Sequence, residues 1–202
     1  MSFTSPPPYK ASVAKHATYY FPEGNMSVLI DDTLFRIWTA TFRMHSSSFE
    51  KQYPSYRDTS DSSPLRLDNV TANEFEKLLW VLYPPAFDQE RPKIVADWLA
   101  ILKLSTMWNL VSARNLAIRR LATLNVDPVQ QIVIQIQYGV DTMWAYEAFR
   151  SLCKRREPLS VLEGNEVGLE VVTKVAVARE RLAKTWTKPE RIVREVWELP
   201  VL

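Results

Sequence analysis

Apolar and polar positions change period twice along the chain. Between Met26 and Thr39, two short runs rich in β-branched and aromatic residues, MSVLI and TLFRIWT, flank Asp31 and Asp32. Paired acidic residues favour turns and tolerate left-handed backbone, so this stretch predicts a β-hairpin. In ATFRMHSSSFEKQY, Phe42, Met44, Phe49 and Tyr53 move to roughly helical spacing, with three serines lowering helix propensity in the middle. Residues 54–64, PSYRDTSDSSP, are polar and bounded by prolines, which predicts a surface loop; PLRLD after it predicts a short strand.

Thr71 then precedes Glu74 by three residues, the spacing at which each side chain satisfies the other residue's orphan backbone donor. Phe75, Leu78, Leu79 and Leu82 follow at i, i+3, i+4 and i+7 and predict a helix ending at Tyr83, before Pro84 and Pro85. Pro92 is expected to open a further helix carrying Trp98 and Leu102, and Asn109 to cap another through Leu121 and Leu124. Beyond Asn125 the strand signals cease. Asp127 and Pro128 start a helix with Val129, Ile132, Val133 and Ile136 inward and Gly139 just past its end. Asp141 caps the next, through Phe149 and Leu152 to a solvated basic end at Lys154, Arg155 and Arg156. Ser160 and Glu163 repeat the capping-box spacing, and a last long helix runs from about Leu169 to Trp186. Residues 1–16, with Pro6, Pro7 and Pro8 in a row, read as a flexible arm, because each proline removes a backbone donor and fixes φ.

Composition narrows the function more than the fold. The 202 residues are 47% apolar and 24% charged, enough to fold. The 25 basic and 23 acidic residues are spread evenly, which argues against binding nucleic acid through its phosphates. A lone Cys153, read as a small core residue, precludes an intramolecular disulfide. No run of about 18 apolar residues suggests a membrane span, so a cytoplasmic or nuclear protein is expected. Four glycines form no phosphate-cradling loop, and His16 and His45 lack the spacing of a helix-borne metal site, so neither cofactor nor metal is expected. His45 beside Ser46, Ser47 and Ser48 leaves a small serine hydrolase as a remote alternative. Asp31 and Asp32 read as water-facing turn carboxylates.

Seven tryptophans exceed what one core needs. Trp80 sits off the stripe of its own helix and is expected to face a second surface. Trp38 alternates with Ile37 on a strand, so the two are expected to point to opposite faces.

Phe35, Phe42, Ser46 and Phe49, and then Leu67, Asp68, Val70, Phe75, Leu79 and Tyr83, resemble the pattern of the BTB/POZ domain over about residues 18–124. Trp38 stands where the family usually has histidine, and Ser47 where proline is frequent. The later DPVQQIVIQIQYGVDTMWAYEAF and VARERL resemble the helical, BACK-like extension of fungal BTB proteins. The resemblance implies an α+β protein in which a small β-sheet flanked by a helical cluster occupies residues 17–124 and an all-α extension residues 125–202. It implies a non-catalytic protein-interaction module, self-associating as a homodimer or adaptor-like, with no small-molecule substrate. The alternative it implies is a substrate-recruiting adaptor of a cullin-type ubiquitin ligase. Partner contacts are expected at Trp38, Tyr53, Tyr56, Asp58 and Trp80, with Tyr53, Tyr56 and Asp58 as the cullin-docking edge.

Overall fold

In a computed structural model that describes residues 13–84, 92–185 and 187–200, the chain is a mixed α+β protein. It divides into two units between Ala117 and Ile118.

The N-terminal unit is built on a four-stranded sheet in the order β1-β3-β2-β4. The hairpin is present: β2 (Met26–Ile30) runs antiparallel to β3 (Thr33–Ile37), with Val28 opposite Phe35 and Asp31 left-handed at φ 51°. All five residues of β2 are buried, so this strand is covered on both faces. β4 (Leu65–Arg66) lies parallel to β2 on its free side. β1 (Ala14–Tyr20) lies parallel to β3, and therefore begins inside the stretch expected to be a flexible arm. Its pairing partner lies 16 to 19 residues away, and its mixed AKHATYY sequence carries no alternation to announce it. Residues 1–12 lie outside the described residues.

The single serine-bearing helix expected after the hairpin is two, α1 (Thr39–His45) and α2 (Ser47–Gln52). They part at Ser46, whose extended backbone lets its hydroxyl oxygen accept from the Phe49 N–H at 2.9 Å while the hydroxyl donates to the Trp108 carbonyl. The proline-bounded loop contains a 3-10 turn, Pro54–Arg57. α3 (Ala72–Leu82) has both arms of its capping box, Glu74 N–H to Thr71 Oγ1 at 3.2 Å and Thr71 N–H to Glu74 Oε2 at 3.0 Å. Glu74 Oε1 also accepts from Lys103 Nζ at 2.6 Å, tying α3 to α4 (Val95–Met107). α4 starts later than expected, after Ile94, with Pro92 buried ahead of it.

Asn109 does not cap the next helix, α5 (Val111–Leu121). It closes α4 instead. At φ 51° its N–H reaches the Thr106 carbonyl (3.2 Å) and the Leu110 N–H reaches that of Ser105 (2.8 Å), a closure that needs a left-handed residue, which asparagine tolerates. The core around these elements is a set of interlocked rings. Phe35 meets Phe75 edge-on at 5.0 Å, Phe42 lies 4.4 Å from Phe49, and Trp108 meets Phe49 and Phe75 edge-on at 5.3 and 6.0 Å. Each such pair contributes about 0.5–1.5 kcal/mol beyond the area it buries.

The C-terminal unit packs four helices, α6 (Pro128–Gln137), α7 (Tyr146–Lys154), α8 (Val161–Lys184) and α9 (Pro189–Val196). Asp127 caps α6 as expected, and Gly139 closes it at φ 56°. Ile136, expected inward, is exposed, and Ile134 is buried outside the cluster that Val129, Ile132 and Val133 form with α7 and α8. Asp141 caps a 3-10 turn, Thr142–Ala145, that leads into α7. The capping box of Ser160 and Glu163 is complete, so helix begins at Val161 and not near Leu169; Gly168, at φ 82° and ψ 162°, breaks it there. α8 ends at Lys184, and Trp186 lies outside the described residues.

Candidate interaction surfaces

β3 ends at Ile37, so Trp38 is not on a strand; it is the residue that opens α1. Ile37 is wholly buried, whereas Trp38 keeps 36% of its surface exposed. The Trp38 ring stacks on Phe21 at 4.4 Å and lies 5.8 Å from Tyr83, whose hydroxyl donates to the Trp38 carbonyl at 3.0 Å. Burial pushes the Tyr83 phenol above its ordinary pKa, so it stays a donor. Six residues along α1, Met44 is 76% exposed. Trp80 is half-buried on α3, and its Nε1–H is buried with no hydrogen-bond partner among the described residues.

The expected docking edge is only partly a surface. Tyr56 is a core residue, 1% exposed, with its ring edge-on to Phe49 at 5.8 Å and its hydroxyl accepting from Arg57 Nε at 3.0 Å. The 3-10 turn rotates it inward, a consequence that the polar sequence around it does not signal. Tyr53 is half-buried against Phe49 at 5.0 Å, and burial raises its pKa. Asp58 is exposed and ends the turn through its N–H to the Ser55 carbonyl at 3.0 Å. Beside it Arg57 pairs with Glu50 at 2.6 Å. The loop beyond is fastened to the sheet: Asp61 accepts from the Tyr20 hydroxyl and from Ser27 Oγ (2.7 Å), and Thr59 Oγ1 accepts from the Ser27 N–H at 3.0 Å. The hydrogen bond from Tyr20 is the chief reason that the Asp61 carboxyl is held below its ordinary pKa.

The remaining candidates for chemistry have structural partners. Ser46 is buried with its hydroxyl engaged at both ends, while His45 is exposed at the end of α1. Asp31 does not simply face water; its Oδ2 accepts from the Ala72 N–H at 2.9 Å, which satisfies a free donor in the first turn of α3. His16 belongs to β1 and stacks on Phe35 at 4.7 Å. Among the described residues no three histidine, cysteine or acidic side chains gather as a metal site would need. Cys153 is buried, which pushes its thiol up to about 11 and keeps it un-ionised at neutral pH. The basic end of α7 is not merely solvated: Arg155 leaves the helix and forks onto Glu163 at 2.6 and 3.0 Å, and onto the Pro158 carbonyl at 3.0 Å.

One surface had no forecast in the sequence. Around the break at Gly168, Val161, Leu162 and Leu169 are exposed, Leu169 to 81%, beside a groove of about 470 Å³ floored by Leu159, Gly164 and Val172. Its signal is Gly164 and Gly168 at i, i+4 amid apolar residues. Among the described residues no helix is long and apolar enough to cross a membrane. No protein-family model matches the sequence, and no curated protein is significantly similar to it.

Proposed function

We propose that the chain is a protein-interaction module of the BTB/POZ kind, self-associating or adaptor-like, with a fungal-type helical extension. The observation that carries this reading is the aromatic patch of Phe21, Trp38 and Tyr83, whose outer ring keeps a third of its area open to solvent. A rigid, partly covered tryptophan is the kind of side chain that dominates binding energy at protein interfaces. The order of hairpin, helix pair, short parallel strand, capped helix and helix pair also supports the reading. Light scattering at micromolar concentration tests it. The expected mass is twice the 23.4 kDa of one chain, and Trp38→Ala is expected to weaken the association by about tenfold or more. A strict monomer that captures no protein overturns it.

The exposed Asp58 carboxylate favours, as a second reading, recruitment to a cullin-type ligase through Tyr53 and Asp58, without Tyr56. A cullin that co-purifies with the native chain and is lost with Asp58→Lys distinguishes it from self-association. The surroundings of Ser46 do not favour the hydrolase alternative: its hydroxyl is buried and gives its proton to the Trp108 carbonyl instead of to a base.

A further inference from the structure

β1 is joined to β3 at its ends and not in its middle. The Ala14 N–H donates to the Asp32 carbonyl at 2.9 Å, and the Phe21 N–H to that of Arg36 at 2.8 Å. Lys15 is opposite Leu34 and Tyr20 opposite Arg36, so β1 advances five residues while β3 advances two. The surplus loops out of the ladder as a bulge. Two of its amides need other acceptors, and both take the same one: the N–H groups of Thr18 and Tyr19 donate to Nδ1 of His16 at 3.1 and 3.0 Å.

The imidazole that accepts them is enclosed. It stacks on the fully buried Phe35 ring of β3 at 4.7 Å, lies 5.3 Å from Tyr19, and its side chain is 14% exposed. Because Nδ1 accepts, the neutral ring carries its proton on Nε2, which faces Glu76 Oε2 of α3 at 4.0 Å. A second proton has only Nδ1 to go to. There it turns an acceptor into a donor aimed at two donors, and orphans both amides.

We propose that His16 is a pH-operated latch: neutral, it closes the β1 bulge onto β3, and protonated, it releases β1 up to its last residue, Ala14–Tyr19. Tyr20 is the hinge, since its hydroxyl bond to Asp61 and the Lys15 ammonium over its ring hold it in the closed form, and only the first bond survives release. Among the described residues, the ionisable groups that face the imidazole are Glu76 from α3 and Tyr19 from β1; β3 presents the apolar Phe35. Tyr19 is pushed up to about 12, chiefly by burial, and stays neutral throughout. Burial disfavours the imidazolium more than Glu76 favours it, so His16 is held below its ordinary 6.5. The closed strand therefore binds fewer protons than the open one. Closure is at full strength above pH 6.5 and weakens as pH falls below it, until His16 titrates in the closed form too.

Amide hydrogen exchange in the full chain, corrected for intrinsic rates, tests the latch. Between pH 7.5 and 5.5 the protection of Thr18 and Tyr19 is expected to fall by up to about tenfold, the charged-to-neutral ratio of a free histidine one unit below its pKa. Amides of Val28 and Phe35 are expected to keep theirs. His16→Asn, whose amide oxygen accepts without titrating, is expected to keep Thr18 and Tyr19 protected at both pH values, and Glu76→Gln to deepen the loss in the acid range, because the closed-form imidazole loses the carboxylate that favours its charge. Equal protection at both pH values in the native chain overturns the proposal, as does a loss that persists in His16→Asn. If His16→Asn does not fold, the native imidazole followed by NMR decides: its midpoint must lie below 6.5 and the amide loss must level off at that midpoint, and a midpoint at or above 6.5 overturns the latch.

Discussion

The two units fill their cores with different material. In the N-terminal unit Phe35, Phe42, Phe49, Phe75 and Trp108 interlock, contributed by a strand, three helices and a helix end. The C-terminal core is mostly small and aliphatic: Ala145, Ala148 and Ala178 lie among Val167, Val171, Val175, Ile132 and Ile192, with Phe149 stacked on Trp197 at 4.6 Å. Helices that pack on one another at about 8–10 Å leave room for short side chains, whereas a small sheet meeting helices at several angles leaves wider gaps that rings fill. The polar ties follow the same division. In the first unit they join distant segments, Asp31 to Ala72 and Ser46 to Trp108; in the second they are mostly local, as Asp127 and Ser160 cap their own helices.

Truncating one ring in each core probes this contrast most strongly. Phe75→Ala is expected to cost about 3–5 kcal/mol in denaturant unfolding, and Phe149→Ala to fall at the lower end of that range, because a core of small side chains collapses more readily onto the space left. Equal losses would remove the distinction. A smaller effect separates two glycines. In the first unit a Cβ on Gly24 would sit 2.9 Å from the Ile37 nitrogen, while in the second a Cβ on Gly168 meets nothing within 4 Å. Gly168→Ala is therefore expected to cost about 1–3 kcal/mol from backbone strain alone, and Gly24→Ala, at a position whose φ is not left-handed, to lose stability through the clash with β3 backbone instead. The smallest effect is one of pH. The Arg155 fork, with the Ser160 N–H, holds Glu163 down to about 2. Its contribution is present above the ordinary 4.5 and is lost as pH falls from there towards 2. For Glu74, burial pushes upward and the bonds from Lys103 and Thr71 outweigh it, so its net shift is also downward. In acid melts followed by circular dichroism, Glu163→Gln is expected to flatten the pH dependence more than Glu74→Gln.

What could be read from the chain beforehand follows the same line. The Asp-Asp hairpin, both capping boxes and the Asp127, Pro128 and Gly139 boundaries were legible because each is set by residues a few positions apart. β1 was not, since it owes its strand to β3 and its bulge to one histidine. Nor was the division at Ser46, which depends on a carbonyl 62 residues away. At the candidate surface, Trp38 opens a helix where a strand was expected, and Tyr56 turned inward because a 3-10 turn lies hidden in a polar loop. Asp58 needed no distant partner, and its exposure agrees with its polar surroundings.

Two helix ends have a consequence for how this protein can be watched. α4 finishes on Trp108 and α9 on Trp197, each followed by a left-handed residue, and both indoles are buried. One emitter thus sits in the interior of each half of the chain, at a point where the backbone must reverse correctly for the ring to stay dry. With the other tryptophans replaced, the colour of the light from each would report whether the halves melt together or one after the other.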